Sequence, residues 1–139
     1  MKKIIASVVV NSNIKNTWEK WSSPEAIKAW CHASDDWAVG DVQNDLRVGG
    51  RFLTNMRSVD NTQSFDFTGT YLDVVDGERM RYLMDGEDKR ECEVTFEKVS
   101  ENETRVTETF DPESINPADM QQAGWQATLD NFKKYAEGK

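Results

Sequence analysis

The sequence predicts an α+β fold in which an antiparallel β-sheet curves around one long C-terminal α-helix, with two short helices after the first strand. Three observations carry this prediction. Asn116 to Tyr135 reads as one amphipathic helix. Nearly everything between Asp41 and Phe110 reads as strand, much of it alternating apolar and polar residues. Short turn signals such as Asp76-Gly77 separate those strands as hairpins. A long helix arriving after a run of hairpins has one place to bury its apolar stripe, the concave face of the sheet. That packing tends to enclose a cavity.

Taken in order, Ile4 to Val10 is β-branched and apolar, hence a strand. Ser12 is placed to cap a helix from about Asn13 to Trp21, whose Ile14, Trp18 and Trp21 share one face. Ser23-Pro24-Glu25 opens a second short helix ending near Trp30, with Ser as cap and Pro at the first position. Cys31 to Gly40 reads as a loop. A strand near Asp41–Leu46 then meets the turn Arg47-Val48-Gly49-Gly50 and the strand Arg51–Arg57. After a polar turn at Val59–Gln63, Phe65, Phe67, Gly69 and Tyr71 share a face of a strand that runs to Val75. Met80, Tyr82 and Met84 share a face of the next strand, and Asp85-Gly86-Glu87 turns the chain. Arg90, Cys92, Val94 and Phe96 share a face, as do Val106, Glu108 and Phe110 after the loop at Glu101-Asn102. In the final helix Asn116 is the expected cap and Pro117 the first residue, and Gln121, Trp125, Thr128, Leu129, Phe132 and Ala136 form the inward stripe.

Charge checks the register. Centring turns on Asp76-Gly77 and Gly86 sets Tyr71 opposite Tyr82 and Tyr82 opposite Arg90. On the other face Arg79 then meets Glu93 and Arg81 meets Glu91, while a turn near Glu101 sets Glu97 opposite Arg105. Each such pair is worth about 0.2–1 kcal/mol, and together they mark the solvent face. The aromatic face is therefore the covered one.

The 139 residues are the usual size of one domain, and no linker or repeat divides residues 1–139. Five Trp, six Phe and three Tyr supply core material. A net charge of -8 argues against nucleic acid and against anionic membranes as partners. Cys31 and Cys92 are too few for a disulfide scaffold. No stretch is apolar enough to span a bilayer. The first ten residues begin like a signal peptide, but their short apolar run leads into Asn11-Ser12-Asn13, so they read as a first strand in a cytoplasmic protein.

The helix signature Trp18 to Trp30, the turn Asp45-Leu46-Arg47-Val48-Gly49-Gly50-Arg51-Phe52, the strand Phe67-Thr68-Gly69-Thr70-Tyr71, and Gly124-Trp125 followed by Leu129-Asp130-Asn131-Phe132 occur in one order along the chain. That order resembles the helix-grip fold of the START-like and birch-pollen-allergen superfamily (SRPBCC). Within it, the residues resemble homologues of the C-terminal domain of the heat-shock-protein-90 ATPase activator. The resemblance implies a stand-alone version of that domain with a stress-related role. It also brings in the range of the wider superfamily, which includes lipid and hormone carriers, cyclases and aromatases.

The expected cavity wall comprises Phe52, Met56, Phe65, Phe67, Tyr71, Tyr82, Val94 and Phe110 from the strands, and Gln121, Trp125 and Leu129 from the last helix. Trp37 is added from the loop. Trp18, Trp21 and Trp30 are assigned to packing between helices and sheet. Strand alternation places Glu108 on the aromatic face, unless it lies near the sheet edge or a bulge turns it outward; inside, a carboxylate needs a partner, and Arg90 and Gln121 are the candidates. A desolvated Glu has a raised pKa and can act as an acid or base. Gly124 inside the last helix costs about 1 kcal/mol relative to Ala and marks close approach of the sheet or a ligand. His32 is the sole histidine and shares its loop with Cys31, Asp35 and Asp36 without metal-ligand spacing, so no metal and no cofactor are expected. Gly49-Gly50 lacks the context of a phosphate loop.

Three functions follow. One is a binding domain whose apolar cavity takes a small hydrophobic or aromatic molecule. Another is a cyclase- or hydrolase-type enzyme using Glu108. The last is an interaction protein that contacts a chaperone or another protein. The expected state is a monomer or weak homodimer.

Overall fold

The computed structural model describes residues 3–86 and 89–138. Among them the elements run β1 (Ile4–Val10), α1 (Ile14–Ser22), α2 (Pro24–Trp30), β2 (Trp37–Asn44), β3 (Arg51–Ser58), β4 (Ser64–Val75), β5 (Arg79–Met84), β6 (Glu91–Ser100), β7 (Glu103–Phe110) and α3 (Ala118–Ala136). The seven strands form one antiparallel sheet in the order β1-β7-β6-β5-β4-β3-β2. This is the helix-grip arrangement, with the first strand paired to the last from Ile4 opposite Phe110 to Val10 opposite Thr104. Of the expected turn Asp85-Gly86-Glu87, Glu87 lies outside the described residues, as do Met1 and Lys2 of the first segment.

Local chemistry moves several boundaries. Asn13, not Ser12, caps α1: its side chain accepts the Asn16 N–H at 2.8 Å. The Ser12 carbonyl instead accepts the Thr104 hydroxyl at 2.9 Å, which ties the start of α1 to β7. Helix α3 begins after Pro117, and Asn116 is not its side-chain cap but donates to Glu113. Strand β2 begins at Trp37, inside the expected loop. A bulge between Val39 and Val42 breaks the alternation there, which hides the strand from periodicity.

The sheet register confirms Tyr71 opposite Tyr82 and Glu97 opposite Arg105, and corrects the β5–β6 hairpin. Tyr82 faces Cys92 rather than Arg90, Arg81 faces Glu93, and Arg79 faces Thr95. The displacement is two residues, so every side chain keeps its face. Arg81 still reaches Glu91 at 2.5 Å, but diagonally, and Arg79 pairs at 2.8 Å with Asp73 on β4.

The core sits between the concave face and the helices. Phe132 of α3 is fully buried and meets Trp21 and Trp30 edge-on, both at 4.9 Å between centroids. Trp18 and Trp21 in turn pack edge-on against Phe96 of β6. Helix α3 also lies along the open edge of β1. Gln126 accepts the Ser7 N–H and donates to the Ser7 carbonyl, Lys133 donates to the Val9 carbonyl, and Glu137 accepts the Asn11 N–H. An edge strand covered in this way offers no free ladder to another chain along that stretch.

Candidate ligand cavity

A cavity of about 330 Å³ lies between the concave sheet, α3 and the ends of the short helices. Its position follows from the pleat: inward side chains of β3, β4 and β5 put Phe52, Phe67, Tyr71, Met80 and Tyr82 on one wall. Phe52 is packed by Phe67, Tyr71 and Tyr82 at 5.4, 5.4 and 4.9 Å. The Phe52 ring lies over Gly69, where an added Cβ would come within 2.6 Å of it. Trp125 and Thr128 contribute the α3 wall, and Met56 and Phe65 the far rim.

Of the expected wall, Phe52, Met56, Phe65, Phe67, Tyr71, Tyr82, Glu108 and Trp125 line the cavity. Val94, Phe110 and Leu129 do not; all three are fully buried core residues. Phe110 is sealed by Trp125, stacked on it at 3.8 Å. Trp37 lies outside the cavity, edge-on to Phe65 at 5.8 Å. Gln121 is spent on the loop before α3: it accepts the Glu113 N–H and donates to the Glu113 and Asn116 carbonyls. Arg90 precedes β6 and does not line the cavity. Trp21, Ile27 and Trp30 line it as well as packing the helices, a double role that sequence reasoning missed. The i, i+3 spacing of Ile27 and Trp30 was the available signal.

Glu108 is the chemical centre. It is 6% exposed, lines the cavity, and its carboxyl has no hydrogen bond or ion pair among the described residues. Burial alone raises its pKa to about 8, so the carboxyl is mainly protonated at neutral pH. That answers the need for a partner: the group sheds its charge instead of pairing it. Cys31 also lines the cavity, and burial, with a smaller contribution from the Glu108 charge, pushes its thiol up to about 12. Such a thiol is not a nucleophile at neutral pH. Burial raises the Tyr82 hydroxyl and the Cys92 thiol well above their ordinary values. The Tyr71 hydroxyl donates to Asn44 at 2.5 Å, and Asn44 donates to the Ser22 carbonyl at 2.8 Å. Tyr71 and Asn44 are occupied in this way, whereas the Glu108 carboxyl is open to the cavity.

Gly124 also faces the cavity, and nothing lies within 4 Å of a Cβ added there. The close approach of the sheet expected at this residue is absent; the glycine opens onto empty space. Gly124→Ala is therefore expected to stabilise the protein by roughly 0.5–1 kcal/mol, through helix propensity, while narrowing the cavity. Urea denaturation reads the effect, and a destabilised variant would show that the space is needed by the folded chain itself.

A curved antiparallel sheet gripping a long helix, with a mostly apolar hollow between them, defines a helix-grip domain of the SRPBCC kind, a fold that often binds ligands. The chain belongs to the family described as Activator of Hsp90 ATPase homolog 1-like protein, whose model matches residues 11–137. It is similar to the AHSA1-like protein from Aeromonas hydrophila, with 40% identity over 97% of this chain and 93% of that one, and a TM-score of 0.87. A protein from Cytophaga hutchinsonii is also 40% identical, over 98% of this chain and 92% of that one, with a TM-score of 0.83. A Chromobacterium violaceum protein shares the fold at 21% identity, over 99% of both chains, with a TM-score of 0.87. No curated protein matches the chain. Among the described residues no helix is long and apolar enough to cross a membrane.

Proposed function

We propose that the protein binds a small, largely apolar molecule between the concave sheet and α3. The carrying observation is the cavity itself: about 330 Å³ walled by aromatic side chains, with one open carboxyl. That volume falls at the lower end of the roughly 300–1,000 Å³ of small-molecule sites, and apolar walls with few polar groups are their usual make-up. An NMR fragment screen is expected to shift resonances of Phe67, Tyr82, Trp125 and Thr128 together. Binders that shift only outer-face residues, or no binders at all, would refute the reading. The pKa of about 8 at Glu108 favours a second reading, in which a bound molecule exchanges a proton with that carboxyl and the domain is an enzyme. Turnover abolished in Glu108→Gln, with binding retained, would separate catalysis from binding alone.

A further inference from the structure

Resting on the cavity as a binding site, we propose that its occupant is an organic cation: a small amine whose apolar body lies among the aromatic walls and whose ammonium group pairs with the Glu108 carboxylate. Three features of the wall carry this. Eight of the nineteen lining residues are aromatic, from Trp21 and Trp30 on the helix side to Phe52 and Tyr82 on the sheet. Their faces attract a cation and give a neutral polar group no comparable gain. Glu108 is the one acidic residue of the wall, and none of the lining residues is Lys, Arg or His. An anionic ligand would meet an acidic group with no counter-charge. The chain's net charge of -8 favours the approach of cations as well.

The protonation of Glu108 suits such a ligand. In the empty cavity the neutral carboxyl avoids a buried charge. With its pKa at about 8, ionisation at pH 7 costs only about a factor of ten, and the ammonium group offsets that cost. The titratable groups around Glu108 are the Cys31 and Cys92 thiols and the Tyr82 hydroxyl, with Tyr71 further along the wall. All four are raised by burial and stay neutral, so none supplies a competing cation. Strand β1 contains no titratable side chain, and α3 presents only Gly124, Trp125 and Thr128 to the cavity. Binding of the cation therefore releases the Glu108 proton, and affinity rises with pH until that proton is already lost.

The test is isothermal calorimetry with benzylammonium, benzyl alcohol and benzoate, at neutral pH in two buffers of different ionisation enthalpy. Benzylammonium is expected to bind about tenfold or more tighter than benzyl alcohol, with release of about one proton per site. Benzoate is expected not to bind. In Glu108→Gln the amine should lose its advantage over the alcohol, and proton release should vanish. Alcohol or benzoate binding as tightly as the amine overturns the cation, yet leaves the cavity as a binding site. So does amine binding without proton release. Failure of all three probes overturns both readings.

Discussion

Glu108→Gln is expected to be more stable than the wild type at pH 8, by on the order of 3–5 kcal/mol, and nearly equal to it at pH 4.5. The sign follows from proton counting. In the unfolded chain Glu108 titrates near the ordinary 4.5; in the folded protein it titrates at about 8. Between those values the native state holds a proton that the unfolded state has released. Stability is therefore full below pH 4.5, falls as pH rises through the window, and levels off above 8. Glutamine keeps the shape of a protonated carboxyl but never ionises, so the variant escapes the loss. Surface carboxylates run the other way. Asp85, held down to about 2 by Arg51 and Thr68, and Asp111, held down by Lys3, lose their stabilisation only as acid protonates them. They are common to both proteins and cancel in the difference. Urea denaturation of the two across pH 4.5–8.5 measures it, and parallel curves would show that Glu108 titrates as a solvated group.

Phe132→Ala is expected to cost about 3–5 kcal/mol. The ring is fully buried and meets Trp21 of α1 and Trp30 of α2 edge-on, and those two indoles touch each other, so it is α3's member of an aromatic trio that joins all three helices. Removing it forfeits the buried area and both aromatic contacts, and leaves a void that two large indoles cannot readily fill. Because Trp21 and Trp30 also line the cavity, their fluorescence should change in the folded variant, and ligand affinity should fall with stability. A loss below about 1 kcal/mol in urea denaturation would mean that the helices are braced elsewhere.

The element order was legible because each element carries its own signal: the Pro24 start of α2, the Gly77 turn, the α3 stripe. The β5–β6 register was not. Charge complementarity cannot separate a direct pair from a diagonal one, and Arg81 satisfies Glu91 while standing opposite Glu93. Periodicity assigned Glu108 correctly to the inner face and could not say what stood across from it. Nor could it separate a hollow from a packed core. Phe110 and Tyr82 both point inward, yet Trp125 lies flat on one and leaves the other facing space. That difference depends on where α3 crosses the sheet, which the helix sequence alone does not encode. Asn44, Gln43 and Thr54 were missed for a related reason: polar strand residues carry no periodic apolar signal, although these three line the cavity.

Three side-chain hydrogen bonds between α3 and the β1 edge, and a fourth from Asn11 to the cap residue Glu137, make the helix stand in for an eighth strand. Detaching it would bare the Ser7 and Val9 backbone groups to water. The helix is thus the fixed jamb of the cavity, and the opposite rim is the side that gives. There the Phe65 ring is half-exposed at 54%, and the lining residues Ala33 and Gln43 are exposed too. Traffic through that rim needs only rotation of exposed side chains, which is fast on the ps–ns scale, rather than the far slower opening of a packed helix. Loading and unloading would then be quick, and residence time would be set by the grip of the walls.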